Sequence, residues 1–84
     1  MKIFEYHGKK NISGTRIRAL RKKLRLSQTD LAAQMQIRGV ILERDTISRI
    51  EIGDRFVADY ELRAFAQVLG VEAAWLLGMD NGDV

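Results

Sequence analysis

Few side chains in this 84-residue chain occur at spacings that support covalent or metal chemistry. His7 is the sole histidine, and one imidazole without a companion reads as a solvated surface residue. There is no cysteine, which excludes a disulfide framework, a thiolate zinc site and a cysteine nucleophile. Carboxylates are plentiful, but they fall mostly at helix starts and in loops, where helix N-termini account for them. Gly8 and Gly14 stand apart with no strand before them, so no phosphate-cradling loop is formed. The chain therefore reads as a non-enzyme, with no metal and no cofactor. What remains is charge. Residues 1–25 hold nine Lys/Arg against the single Glu5, a balance of +8, whereas residues 26–84 carry −5. A basic N-terminal third suits a polyanion such as nucleic acid, although a solvated helix face has the same composition.

Helices must position that charge. Eighty-four residues make one small domain, and 46% hydrophobic with 30% charged residues is a globular balance. Proline is absent, so helices run without a built-in breaker and glycines supply most of the punctuation. Residues 1–12 are expected to form an N-terminal arm, 13–78 the domain and 79–84 a flexible tail. "KIFEY" is a single strand, a packed arm or a frayed end.

The first helix is "SGTRIRALRKKLR", capped by Ser13 or Thr15, with Ile17, Leu20 and Leu24 on one face. The second, "SQTDLAAQM", has Ser27 as N-cap with Asp30 three residues on, and Leu31 and Met35 as its apolar stripe. In "RDTISRIEIG", Ile47 and Ile50 face inward, Ser48 and Arg49 point elsewhere, and Gly53 closes the helix in a left-handed cap. "YELRAFAQVLG" is capped by Asp59 and buries Leu62, Phe65, Ala66 and Leu69, and "VEAAWLLG" is a short last helix. No apolar run is long enough for a membrane span, and "MKIFEYHGKK" lacks the apolar core of a secretory signal, which makes the cytoplasm the default.

The segments "IRALRKKLRLSQTDLA", "TISRIEIG" and "YELRAFAQVLGVEAAWLLG", in that order, resemble the Cro/repressor-like (Xre) helix-turn-helix family. The resemblance implies an all-α, five-helix, lambda-repressor-like DNA-binding domain. It would act as a homodimer on a two-fold, double-stranded DNA operator, with the third helix in the major groove. By that resemblance Arg44, Asp45, Ser48 and Arg49 face base edges, and the two arginines suit guanine O6 and N7. Asp45 can accept from a cytosine amino group, cap the helix locally or hold Arg49 at i+4, with the two local roles favoured. Gln28 matches the position that holds a phosphate, and Thr46 can reach a phosphate or serve the helix start. Arg21 and Glu51 match a structural ion pair bridging the first helix to the end of the third.

Two departures stand out. The glycine after the third helix is flanked by Ile52 and Asp54, where the family often has asparagine and a basic residue; Asp54 repels the phosphates, and Arg55 remains as a phosphate contact. Nine residues also separate Ile37 from Ile47, an expansion of about five residues that costs little loop entropy. Val40 or Leu42 is expected to pack back onto the domain, leaving Arg38 exposed near the phosphates. The leading function is thus a sequence-specific transcriptional repressor. The rival is a protein-interaction or antitoxin-like module with weak DNA binding, its partner met by the apolar connection.

Overall fold

The computed structural model describes residues 5–79; the first four residues of the arm and residues 80–84 of the expected tail lie outside the described residues. Five helices follow in order: α1 (Gly14–Lys23), α2 (Gln28–Ile37), α3 (Arg44–Glu51), α4 (Asp59–Leu69) and α5 (Ala73–Leu76). Among the described residues there is no strand, only an isolated antiparallel bridge between Tyr6 and Lys9. No described helix is long and apolar enough to cross a membrane.

Each helix contributes at least one side chain that is wholly removed from water: Ile17 from α1, Leu31 and Met35 from α2, Ile47 and Ile50 from α3, Phe65 from α4 and Leu76 from α5. Burial of a side chain of this size stabilises by about 1.5–3 kcal/mol before entropy is charged, so the single shared cluster dominates the fold. Leu24 is the exception to the α1 stripe. It lies just past the helix end and is exposed.

Helix ends are fixed by local chemistry. At α2, Ser27 Oγ accepts from the Asp30 N–H and Asp30 Oδ2 accepts from the Ser27 N–H, each at 2.9 Å. The backbone hydrogen bond from Ser27, aided by its hydroxyl, holds the Asp30 carboxyl below the ordinary aspartate range. At α1 the sequence expectation is corrected. Ser13 stands at the N-cap position, but its side chain makes no capping bond; Asn11 Oδ1 accepts from the Gly14 N–H at 2.7 Å instead. At α4 the cap position is Ala58 rather than Asp59, and Glu61 reaches back to accept from the Ala58 N–H at 2.9 Å.

The expanded connection, residues 38–43, starts with a left-handed Gly39 at φ +80°. Gly39 N–H donates to Gln36 O and Val40 N–H to Met35 O, the paired bonds of a Schellman closure. Leu42 is only 8% exposed and Val40 packs against the same core, while Ile41 between them is 71% exposed. Two inward side chains thus seat the connection, and Arg38 stays at the surface.

Candidate nucleic-acid interface

On α3, Ile47 and Ile50 point into the core, which turns Arg44, Asp45 and Arg49 to solvent and leaves Thr46 and Ser48 half-buried. The outer face carries two loose ion pairs. Arg44 Nη2 lies 3.4 Å from Asp45 Oδ1, and Arg49 Nε lies 3.7 Å from Asp54 Oδ2. The expected i+4 pair between Asp45 and Arg49 is therefore replaced. The left-handed turn at Gly53 folds the chain back so that the Asp54 N–H donates to Arg49 O at 2.8 Å, and this brings the Asp54 carboxylate to Arg49. Asp45 instead sits in the first turn of α3, where a carboxylate is favoured by the helix dipole. Exposed pairs of this kind contribute only about 0–1 kcal/mol, so both arginines can exchange partners at little cost.

The inner end of α3 is held differently. Arg21 Nε donates to Glu51 Oε2 at 2.6 Å and Arg21 Nη2 to Glu51 Oε1 at 3.0 Å, a two-pronged ion pair between side chains 10% and 1% exposed. Arg21 Nη1 also donates to Leu26 O at 2.8 Å. The hydrogen-bonded carboxylate raises the Arg21 guanidinium above its ordinary value, against the opposing pull of burial. Gln28, the first residue of α2, donates from Nε2 to Glu51 Oε1 at 3.0 Å. One carboxylate thereby joins α1, the start of α2 and the end of α3.

The N-terminal arm adds a second layer at that same end. Tyr6 and Lys9 exchange backbone hydrogen bonds at 2.7 and 3.0 Å across a turn whose central residues, His7 and Gly8, have φ of 53° and 78°. Beyond it, Lys9 Nζ donates to Ile52 O at 2.9 Å and the Lys10 N–H to Gly53 O at 2.8 Å. Asn11 Nδ2 donates to both Ile50 O and Arg55 O, at 3.0 and 2.8 Å. The arm thus takes up carbonyls at and just beyond the end of α3, Ile50 O, Ile52 O and Gly53 O, while Ser48 O and Arg49 O accept from the following Ile52 and Asp54 N–H groups. Gly14 is required here, because a Cβ at that position would collide with the Ile50 carbonyl. Sequence reasoning missed Asn11; its one local trace is its place three residues ahead of the first helical residue.

The four phosphate candidates fall into different surroundings. Arg38 is exposed on the connection, Thr46 half-buried in the first turn of α3, and Gln28 half-buried with its amide drawn to Glu51. Arg55 has a structural engagement instead. Nη1 donates to Glu61 Oε1 at 2.8 Å and to Phe56 O at 2.9 Å, and Nη2 donates to Glu61 Oε2 at 3.2 Å. The basic side chains of α1 are split as well. Arg18 and Lys22 are exposed, whereas the Arg16 guanidinium lies 4.7 Å from the centre of the Trp75 ring and donates to Trp75 O at 2.8 Å. Trp75 is consequently half-buried beneath a cation.

Comparison with known proteins matches residues 14–76 to the helix-turn-helix domain family. A structural relative is the P22 c2 repressor protein, crystallised in complex with the synthetic operator 9T in the presence of Tl+. It is 31% identical, superposes with a TM-score of 0.69, and the match covers 83% of this chain and 98% of that one. No curated protein matches the chain. The resemblance seen in sequence is therefore sound, and the fold is the all-α, lambda-repressor-like helix-turn-helix fold.

Proposed function

Because the chain belongs to the helix-turn-helix domain family, we propose that it is a DNA-binding transcriptional regulator whose α3 reads bases in the major groove. The observation that carries this is the division of α3: Ile47, Ile50 and Glu51 anchor one side, and Arg44, Asp45, Ser48 and Arg49 are offered on the other. Arg44 and Arg49 donate to guanine edges, with Ser48 between them. Phosphates are held by Arg38, by Thr46 and, at the start of α2, by Gln28, whose single amide bond to Glu51 is exchanged for the phosphate on binding. Arg55 is left out of that set because Glu61 holds it. The protein acts as a homodimeric repressor on a palindromic operator in the cytoplasm, without metal, cofactor or catalysis. Support comes from the relative solved on operator DNA.

Selection from random DNA duplexes tests this. An enriched palindrome, bound with an affinity that falls steeply as salt rises, is the expected result. Binding that is indifferent to salt, with no motif enriched, would overturn it. A second reading, a protein-interaction or antitoxin-like module, is favoured by one observation: Ile37 and Ile41 are 73% and 71% exposed around the expanded connection.

A further inference from the structure

We infer that Ile41 is a specificity-determining residue that reads thymine methyl groups beside the bases met by Arg44. The inference rests on the DNA-reading function proposed above. Three observations carry it.

First, Ile41 is held rather than loose. The connection is closed at its start by Gly39 and Val40 on the carbonyls of α2, and Val40 and Leu42 are seated on the core. At its other end Glu43 is extended, with ψ 162°, and leads directly into α3. An extended segment alternates its side chains, so fixing residues 40 and 42 inward fixes residue 41 outward.

Second, Ile41 lies next to the reading positions. Two residues separate it from Arg44, a reach of at most about 11 Å along the chain. That distance spans about three base-pair steps at 3.4 Å each.

Third, its surroundings are those of a groove contact. Along the chain the exposed Ile41 is accompanied by exposed Arg38, Glu43 and Arg44, and Ile37 is the other exposed large apolar residue of this stretch. Protein-binding patches are broad and apolar at their centre, whereas Ile41 is flanked in the chain by exposed charged Arg38, Glu43 and Arg44. The C5-methyl of thymine is the apolar group that the major groove presents, and it is matched by an apolar side chain flanked by phosphate-compatible arginines.

The test uses the duplex enriched from the random pool and the same duplex with thymines replaced one at a time by deoxyuridine, which lacks only the methyl. Wild type should lose about fourfold in affinity at one or two thymines near the Arg44-dependent bases, the effect of one buried methylene. Ile41→Ala should bind the thymine duplex about fourfold less tightly and be indifferent to deoxyuridine at those positions. Its melting temperature should match wild type, since Ile41 is exposed. Equal deoxyuridine losses in the two proteins would overturn the inference and leave Ile37 and Ile41 to a protein partner. A wild type that enriches no motif would overturn the DNA-reading function itself, and this inference with it.

Discussion

The two ends of α3 are held by opposite means. At its C-terminal end a buried carboxylate, Glu51, is gripped by Arg21 and Gln28, and the exposed carbonyls are taken up by Lys9, Lys10 and Asn11. At its N-terminal end the helix has no side-chain cap, and it is entered from an apolar connection whose grip on the domain is Val40 and Leu42. The difference separates two tasks. Directional bonds at one end set the angle and depth at which the helix leaves the body, while adaptable side chains at the other are left to meet a ligand. A helix tied down at both ends would have fewer polar groups to offer.

The strongest way to break this asymmetry is Glu51→Ala. Removing the carboxylate leaves the Arg21 guanidinium buried and unpaired, a loss of about 3–5 kcal/mol. Thermal melting should show a drop of many degrees, and at temperatures where the variant is still folded its preferred DNA motif should be that of wild type. An unchanged melting temperature would mean that the pair does not anchor α3. Asn11→Ala attacks the second layer. It strips donors from Ile50 O and Arg55 O and the acceptor from the Gly14 N–H, and a loss of about 1–3 kcal/mol is expected in denaturant unfolding. Lys9→Ala, removing one exposed donor, should cost visibly less than that.

These two layers were not equally legible in the sequence. Helix positions and the Ile47/Ile50 anchor follow from periodicity, which is local and therefore readable. Arg21 and Glu51 are 30 residues apart, and family resemblance rather than spacing brought them together. Asn11 lies 39 residues from Ile50 and 44 from Arg55, and nothing in a polar residue ahead of a helix announces partners so distant. The Arg49 partner is hidden from the sequence for a related reason. The i+4 rule looks only along the helix, whereas the left-handed Gly53 folds Asp54 back beside it. On the connection, by contrast, solubility alone requires some apolar residues to turn inward, and Val40 and Leu42 do so.

The grip on the C-terminal side continues past α3 into the Arg55–Glu61 pair, and acid should loosen it. Burial alone would raise the Glu61 carboxyl, but hydrogen bonds from Arg55 and the Ala58 N–H, with the Arg55 charge, outweigh it and hold the group below the ordinary glutamate range. A depressed carboxyl pKa stabilises fully above the unfolded value of about 4.3 and ceases to do so as the pH falls below it towards the folded value. The melting temperature of wild type should therefore decline across that acid window. Glu61→Gln should have a lower melting temperature at neutral pH and a flatter decline below about pH 4.3. Parallel acid limbs in the two proteins would show that other carboxylates govern the transition.

The smallest stability effect is expected at the exposed pair on the outer face of the C-terminal end itself. The Arg49–Asp54 pair is long, at 3.7 Å, and both side chains are more than half exposed, so Asp54→Asn should change folding stability by no more than about 0.5 kcal/mol. Its effect on DNA should be larger than its effect on the fold. The substitution removes a negative charge from the segment just after α3 and frees Arg49 from competition with the groove. Affinity for the selected duplex should rise, most clearly at low salt, where the lost repulsion is least screened. If Asp54→Asn instead unfolded the protein, the exposed pair would be a structural anchor and the division between the two ends of α3 would fail. If affinity were unchanged at every salt concentration, the Asp54 carboxylate would lie too far from the phosphates for α3 to dock as proposed.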